Sequence, residues 1–327
     1  MEEQTYDVVV IGGGAAGLSA ALVLGRARRR VAVIDAGSPR NAPAAHMHGF
    51  LSRDGMAPTA LLAAGRAEVA AYDVELVSDQ VVGIDAGFSI RLASGRLLRA
   101  RRVLVATGVG DELPDIAGVR QRWGRDLLHC PYCHGWEVRD QPLGVLGTIA
   151  GSVQHALLVR QWSKDMVFFA HTYELTDDEQ AQLDARGIRI ERGTVTRLII
   201  EHDELCGVEL ADGREVARSA VFVRPDNVSH SDGLLAALGC TLNESGFASV
   251  EASGRTSVSG GWAAGNVVDP RAQVITAAGA GSAAAIALNA DLVQEDVELA
   301  LQAATGGEVQ SAPPRQGDRH RPEQFAE

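Results

Sequence analysis

Two cysteines three residues apart raise the first chemical question. Cys130-Pro131-Tyr132-Cys133 runs directly into His134-Gly135-Trp136-Glu137. In a C-x-x-C pair one thiolate attacks sulfur while its neighbour resolves the mixed disulfide, and such pairs carry depressed thiol pKa values. A shift from about 8.5 to near 7 favours thiolate by roughly 2 kcal/mol. The imidazole of His134 can take and return the proton that thiol–disulfide exchange requires near neutral pH. Two other readings exist: half a zinc site with His129 or His134 as further ligands, or an inert buried pair. Cys206 and Cys240 form no second C-x-x-C, and Pro131 and His134 favour redox work, so no metal is expected. Cys206 and Cys240 themselves are expected in the core.

The second chemistry-bearing cluster is Gly12-Gly13-Gly14-Ala15-Ala16-Gly17, which follows the apolar run YDVVVI. Gly12-x-Gly14-x-x-Gly17 has the full dinucleotide spacing. Gly12 permits a tight turn, Gly14 lets a pyrophosphate approach the backbone at a helix N-terminus, and Gly17 lets helix and strand pack closely. Ala15 and Ala16 open that helix. Asp35 ends the next strand, where a carboxylate can accept from ribose hydroxyls. Strand, glycine turn, helix, strand and acid are all in place, which a lone G-x-G-x-x-G is not. The motif does not itself choose between FAD and NAD.

The elements that must position these groups follow an α/β pattern. Strands are expected at 6–11 and 30–34, a long loop over 37–55 and a helix over 58–71. Short strands fit 74–78, 81–85, 88–93 and 97–99, and a buried strand fits 102–106, ending in Thr107-Gly108. A second strand–turn–helix–strand unit runs over 143–146, 152–162 and 166–170. Strands follow at 188–192, 195–200, 205–210 and 220–223. A short strand and turn covers 261–266, and a small-residue helix covers 276–291. The crossings between domains are placed at 108–123 and 239–246. The expected division is a dinucleotide domain (1–112 and 245–305) interrupted by a second one (113–244), with a disordered tail at 306–327 rich in Pro, Gly, Gln, Arg and Glu.

Composition excludes several classes. The chain has 327 residues, 46% hydrophobic and 22% charged, which rules out wholesale disorder. Its net charge of −12 disfavours nucleic acid and anionic lipid as partners. The nearly apolar run 274–288 reads as too short and too weakly hydrophobic to span a membrane. No secretory signal is visible, so the expected compartment is the cytoplasm. Few cysteines with one close pair agree with that setting.

Over residues 5–300 the chain resembles the low-molecular-weight thioredoxin reductase family. The resemblance rests on GGGAAG, then ATG at 106–108, CPYC, TSVSGGWAAGN and AQVITAAGAG, in that order. It implies two Rossmann-like dinucleotide domains, FAD in the split one, and a homodimer. It further implies that Cys133 faces the flavin, that Cys130 is the outer thiol meeting substrate, and that His134 stands where the reductases carry an aspartate general acid. Thr107, Gly108, Gly265, Asn266, Gln273 and Val274 match flavin-contacting positions. Asn266 replaces the more usual Asp.

The second nucleotide turn departs from the pattern. It reads Gly147-Thr148-Ile149-Ala150-Gly151-Ser152, which puts the branched Ile149 where the second glycine belongs. After the next strand, Phe169-Ala170-His171-Thr172-Tyr173-Glu174 has no arginine for a 2′-phosphate. NADPH is therefore expected not to bind. CPYCHGWE with a degenerate NADPH turn resembles the flavin-dependent dithiol oxidases of the gliotoxin and holomycin type. That resemblance implies an antibiotic-biosynthesis enzyme that oxidises a small dithiol to an intramolecular disulfide, with O2 as acceptor giving H2O2. His46, His48, Tyr132 and Trp136 are candidates for the substrate pocket. The rivals are an NADPH- or ferredoxin-dependent thioredoxin reductase and a flavin-bound redox sensor that does not turn over.

Overall fold

The computed structural model describes residues 4–229 and 233–306. The expected disordered tail lies outside the described residues beyond Gly306. Val8, Val9 and Val10 in β1 (Gln4–Ile11) have no exposed surface, as befits a strand covered on both faces. Its glycine turn leads into α1 (Ala15–Arg26). A side chain on Gly17 would strike the Gly12 carbonyl, so only glycine lets α1 lie this close to β1. Next come β2 (Val31–Asp35), α2 (Pro58–Ala70), β3 (Glu75–Ser78), β4 (Val81–Ile84), β5 (Ser89–Leu92) and β6 (Leu97–Val105). The sheet order is β3-β2-β1-β6-β5-β4, with β1, β2, β3 and β6 mutually parallel and β4 and β5 an antiparallel meander.

β6 is one strand where the sequence suggested two, at 97–99 and 102–106. Arg101 and Arg102 look like a polar break. Arg101 instead donates to Asp7 at 2.9 Å from inside the strand, and β1 pairs in one register on either side of that point, from Leu98 to Ala100 and from Arg102 to Val105.

The chain leaves this sheet along β7 (Val109–Glu112). The second sheet is built from α3 (Val119–Arg122), β8 (Leu127–Leu128), α4 (Pro131–His134), β9 (Leu143–Leu146), α5 (Ser152–Val159), β10 (Met166–Phe169), α6 (Asp177–Ala185) and β11 (Arg189–Glu191). An antiparallel unit of β12 (Val195–Glu201), β13 (Glu204–Leu210) and β14 (Glu215–Ala217) precedes β15 (Ala220–Val223). The second sheet is wholly parallel, in the order β11-β10-β9-β15-β8. The chain returns along β16 (Asp226–Ser229), which pairs antiparallel with β7 to form a two-stranded ribbon.

That return corrects the crossing expected at 239–246 and the boundary at 244. α7 (Leu234–Ala237) already belongs to the first sheet, because Leu234, Leu235, Leu238 and Cys240 are buried in its core. The turn residues around Gly239 and Gly246 form a loop over that core. Cys240 is buried as expected, whereas Cys206, on β13, is exposed.

β17 (Gly261–Ala263) pairs parallel with β6, and a 3-10 turn follows at Gly265–Val267. The last helix, α8 (Val274–Gly306), has 33 residues and overruns the expected 276–291. Asn289 and Asp291 are polar but neither glycine nor proline, and polarity alone does not stop a helix. The run 274–288 is only the first part of this helix; as a whole α8 is long and apolar enough to cross a membrane by length and composition, a test that core helices also pass. Over its first part, Ala277, Ala284, Ala285 and Leu288 are buried.

Candidate active site

Cys130 and Cys133 form a disulfide with their Cα atoms 5.2 Å apart. The pair sits where β8 ends. Cys130 is the N-cap of the one-turn helix α4, and Pro131 takes the first helical position, where its missing N–H is not needed. The Cys130 carbonyl accepts from the Cys133 and His134 amides, each at 3.1 Å. Gly135 closes the turn against the Trp162 indole, and a side chain there would collide with the Pro131 carbonyl and with that ring. Tyr132 packs edge-on against Trp162 with centroids 5.5 Å apart. Trp162 thus holds the cysteine turn from behind, a role the sequence did not disclose.

His134 is half-buried, and burial holds its imidazole below the ordinary histidine range. Glu137 opposes this, whereas His48 adds to it. Neutral His134 can therefore accept a proton near pH 7. His48 lies between two carboxylates, with Nδ1 3.3 Å from Asp54 and Nε2 3.5 Å from Glu137.

A cavity of about 630 Å³ runs from the first glycine turn to the disulfide, within the ordinary range for cofactor and ligand sites. Gly12, Gly14, Ala15, Ala16, Asp35, Thr107, Gly108, Asn266, Gln273 and Val274 line it at one end, and Cys130, Tyr132, Cys133 and His134 at the other. Gly17 and Gly265 act from beneath it: a side chain on Gly265 would press on Ala16. His46, His48 and Trp136 are not on its wall. His46 is exposed, with Nδ1 3.1 Å from the Gly55 carbonyl, and the exposed Trp136 ring lies under Arg139. Of the four pocket candidates, only Tyr132 faces the cavity.

Sequence reasoning also missed Arg40, in the long loop after β2. Arg40 Nε donates to Asp111 at 2.8 Å and Nη2 to the other carboxylate oxygen at 2.5 Å. It reaches Asn227 and the Pro270 carbonyl at 3.2 Å each. One guanidinium therefore ties this loop to both strands of the crossing ribbon. An arginine between two prolines in a loop gives no local signal of that role.

Residues 6–282 match the family model described as pyridine nucleotide-disulphide oxidoreductase. The chain belongs to that family. Thioredoxin reductase sirT of Leptosphaeria maculans is 33% identical over 314 residues, covering 89% of this chain and 96% of that one. Among solved structures, HlmI is 60% identical with a TM-score of 0.90, covering 93% of this chain and 97% of that one. A thioredoxin reductase TrxB from Bacillus anthracis is 35% identical with a TM-score of 0.85, covering 89% and 99%. This pyridine nucleotide-disulphide oxidoreductase is therefore a thioredoxin-reductase-like, flavin-dependent enzyme with the two-dinucleotide fold.

FAD is the cofactor that family membership implies, and the residues present fit it. The first turn of α1 has no acidic residue and no side-chain cap, so its N–H groups are available to an anion. A Cβ on Gly14 would meet nothing within 4 Å, so open space lies above that turn. The Thr107 hydroxyl is buried without a partner, as expected of a group awaiting a ligand. Asp35 is steadied by Arg66 at 2.6 Å. Asn266 donates both amide hydrogens to the Asp269 and Ala272 carbonyls, at 3.0 and 2.9 Å. It shapes the turn presenting Gln273 and Val274, and its amide oxygen stays available. Among the described residues, no group of His, Cys, Asp and Glu could hold a metal.

Proposed function

We propose that this enzyme is an FAD-dependent dithiol oxidase that closes an intramolecular disulfide in a small-molecule, dithiolopyrrolone-like dithiol. Dithiol and O2 are consumed, and cyclic disulfide and H2O2 are released. The observation that carries this reading is the state of the second nucleotide turn. Ser152, fully buried at the start of α5, accepts from the Thr148 and Ile149 amides at 3.4 and 3.3 Å and donates to the Ile149 carbonyl at 2.7 Å. The N–H groups a pyrophosphate would need are thus engaged by the chain's own hydroxyl. Beyond β10, His171 accepts from the Val195 amide at 3.0 Å and Tyr173 donates to Glu179 at 2.7 Å. Both are committed internally where a 2′-phosphate would need arginines. The residues at this turn do not fit NADPH, so no step passes through it, and electrons enter by the cysteine pair.

When bound in the cavity whose wall includes Cys133, FAD would supply a two-electron acceptor that O2 can reoxidise. The chain does the rest. A substrate thiolate attacks Sγ of Cys130, forming a substrate–Cys130 disulfide and releasing Cys133 as thiolate. The second substrate thiolate attacks the bound substrate sulfur, so the cyclic disulfide forms and Cys130 leaves as thiolate. His134 takes the thiol proton and returns it. The reading carries a homodimer in the cytoplasm.

The test is anaerobic addition of NADPH, and separately of a small dithiol, while the flavin's visible absorbance is followed. Bleaching by the dithiol alone, reversed by air with one H2O2 per disulfide, is expected. Rapid bleaching by NADPH would overturn the reading in favour of a reductase. No bleaching by any dithiol, with a bound flavin and a reactive pair, would leave a redox sensor.

A further inference from the structure

In an open parallel sheet, ligands bind outside the carboxyl ends of the strands where the order reverses. In the second sheet that point lies between β9 and β15, because the chain runs from β9 to β10 on one side and returns as β15 on the other. Ser152 has closed the β9 side of this crevice to phosphate. Arg224 stands on the β15 side, immediately after Val223. It leans over Gly151, the left-handed N-cap of α5 (φ 83°), where any larger side chain would collide with its guanidinium.

The crevice opens into the cavity that holds the disulfide. Arg224, Gln154, His155 and Leu158 line that cavity together with Cys130 and Tyr132. Three arginines reach its wall. Arg40 is spent on Asp111, Asn227 and Pro270. Arg271 is 88% exposed beside Asp269. Among the described residues, the Arg224 guanidinium has one hydrogen bond, a long one of 3.5 Å to the Gly151 carbonyl. Both acids on the wall are already matched, Asp111 by Arg40 and Asp35 by Arg66. His129, half-buried, and His155, buried, are engaged with the Val223 and His129 carbonyls. A guanidinium with most of its five donors unused, on an apolar and aromatic wall, is suited to an acceptor oxygen.

We propose that the former nucleotide crevice is the substrate pocket, and that Arg224 selects dithiols bearing a carboxylate or amide-carbonyl oxygen by donating to that oxygen. This deepens the dithiol-oxidase reading and rests on it for turnover but not for binding. Arg224 is a specificity residue, while bond exchange stays with Cys130 and Cys133.

The test compares the FAD-loaded wild type with Arg224→Met and Arg224→Lys on three dithiols: dihydrolipoate, dihydrolipoamide and propane-1,3-dithiol, which has no acceptor. Loss of a charge-assisted hydrogen bond is expected to raise KM for the first two by about 10- to 100-fold in Arg224→Met. That rise should exceed the change for propane-1,3-dithiol at least tenfold, with kcat much less affected. Arg224→Lys should recover part of the loss. A larger effect on dihydrolipoate than on dihydrolipoamide marks a carboxylate as the group read, and equal effects mark a carbonyl. A uniform loss on all three dithiols, or none, overturns the proposal. Binding of lipoate and lipoamide, followed by flavin fluorescence, tests the pocket without turnover. If no dithiol reduces the wild-type flavin but Arg224→Met still weakens lipoate and lipoamide binding tenfold, the oxidase reading fails and the pocket stands. If their binding is the same in wild type and variant, the pocket fails whatever the turnover.

Discussion

Gly14 and His134 are the residues whose substitution separates folding from chemistry. Gly14 has an ordinary backbone conformation (φ −80°) and open space where a side chain would point. Gly14→Val is therefore expected to keep the native fold while filling the space through which a pyrophosphate approaches α1. The flavin-to-protein absorbance ratio should fall severalfold with an unchanged far-ultraviolet spectrum. Full flavin occupancy in that variant would remove Gly14 from the cradle. At His134, burial lowers the pKa from 6.5, so the neutral base persists into mildly acidic solution. The acid limb of kcat/KM is expected below pH 6.5 and should vanish in His134→Gln, with a rate loss on the order of 10²–10⁴-fold. An unchanged limb in the variant would assign it to another group. The cysteine pair, His134 and the first glycine turn were legible in sequence because their chemistry depends on neighbours a few residues away. Arg224 and Trp162 act across the fold, and nothing local betrays them; Ser152 acts within its own turn, on Thr148 and Ile149.

At the level of elements, the parallel strands were legible because strands buried on both faces read as unbroken apolar runs. The crossing was not. Asp226–Ser229 is short and polar, and becomes a strand only because β7 lies beside it. Arg40 secures this ribbon to the loop after β2 through the nearly buried carboxylate of Asp111, which is 8% exposed. Arg40→Met would leave that carboxylate without its cation. A loss of roughly 1–3 kcal/mol is expected for a buried group deprived of its partner, concentrated in the ribbon and the 37–55 loop. Hydrogen exchange should quicken there and remain slow in β1 and β9. Uniform protection across the variant would show that the loop is held by other contacts.

At the level of the whole molecule, among the described residues the first sheet has a core around Val9, Ile34 and Val103 and also buries Val8, Val10 and Val33, and the second has cores around Val167 and Phe168. The second sheet's cores carry a dependence on pH. His155 is buried against His129 and Phe222, and burial, with the His129 charge second, pushes its pKa from 6.5 down to about 3. The unfolded chain then binds a proton more readily than the folded one. The stability this histidine contributes is complete above pH 6.5 and is lost progressively as pH falls toward 3. The loss is on the order of a few kcal/mol across that window. A denaturation midpoint measured from pH 7 to 4 should fall less steeply in His155→Asn than in the wild type, and equal slopes would place the dependence elsewhere. The apolarity of α8 has a separate origin over its first half. A side chain on Gly281 would strike the Ala16 carbonyl, and one on Gly254 would strike the Ala263 carbonyl and press on Ala284. Small size is what the neighbouring backbone demands there, and a hydropathy scale registers it as oiliness. Two positions along the helix, Gly279 would meet nothing. In a mutational library one helix would therefore hold both extremes. Gly279→Ala should rise in frequency, since alanine favours a helix over glycine by about 1 kcal/mol, while every replacement of Gly281 disappears.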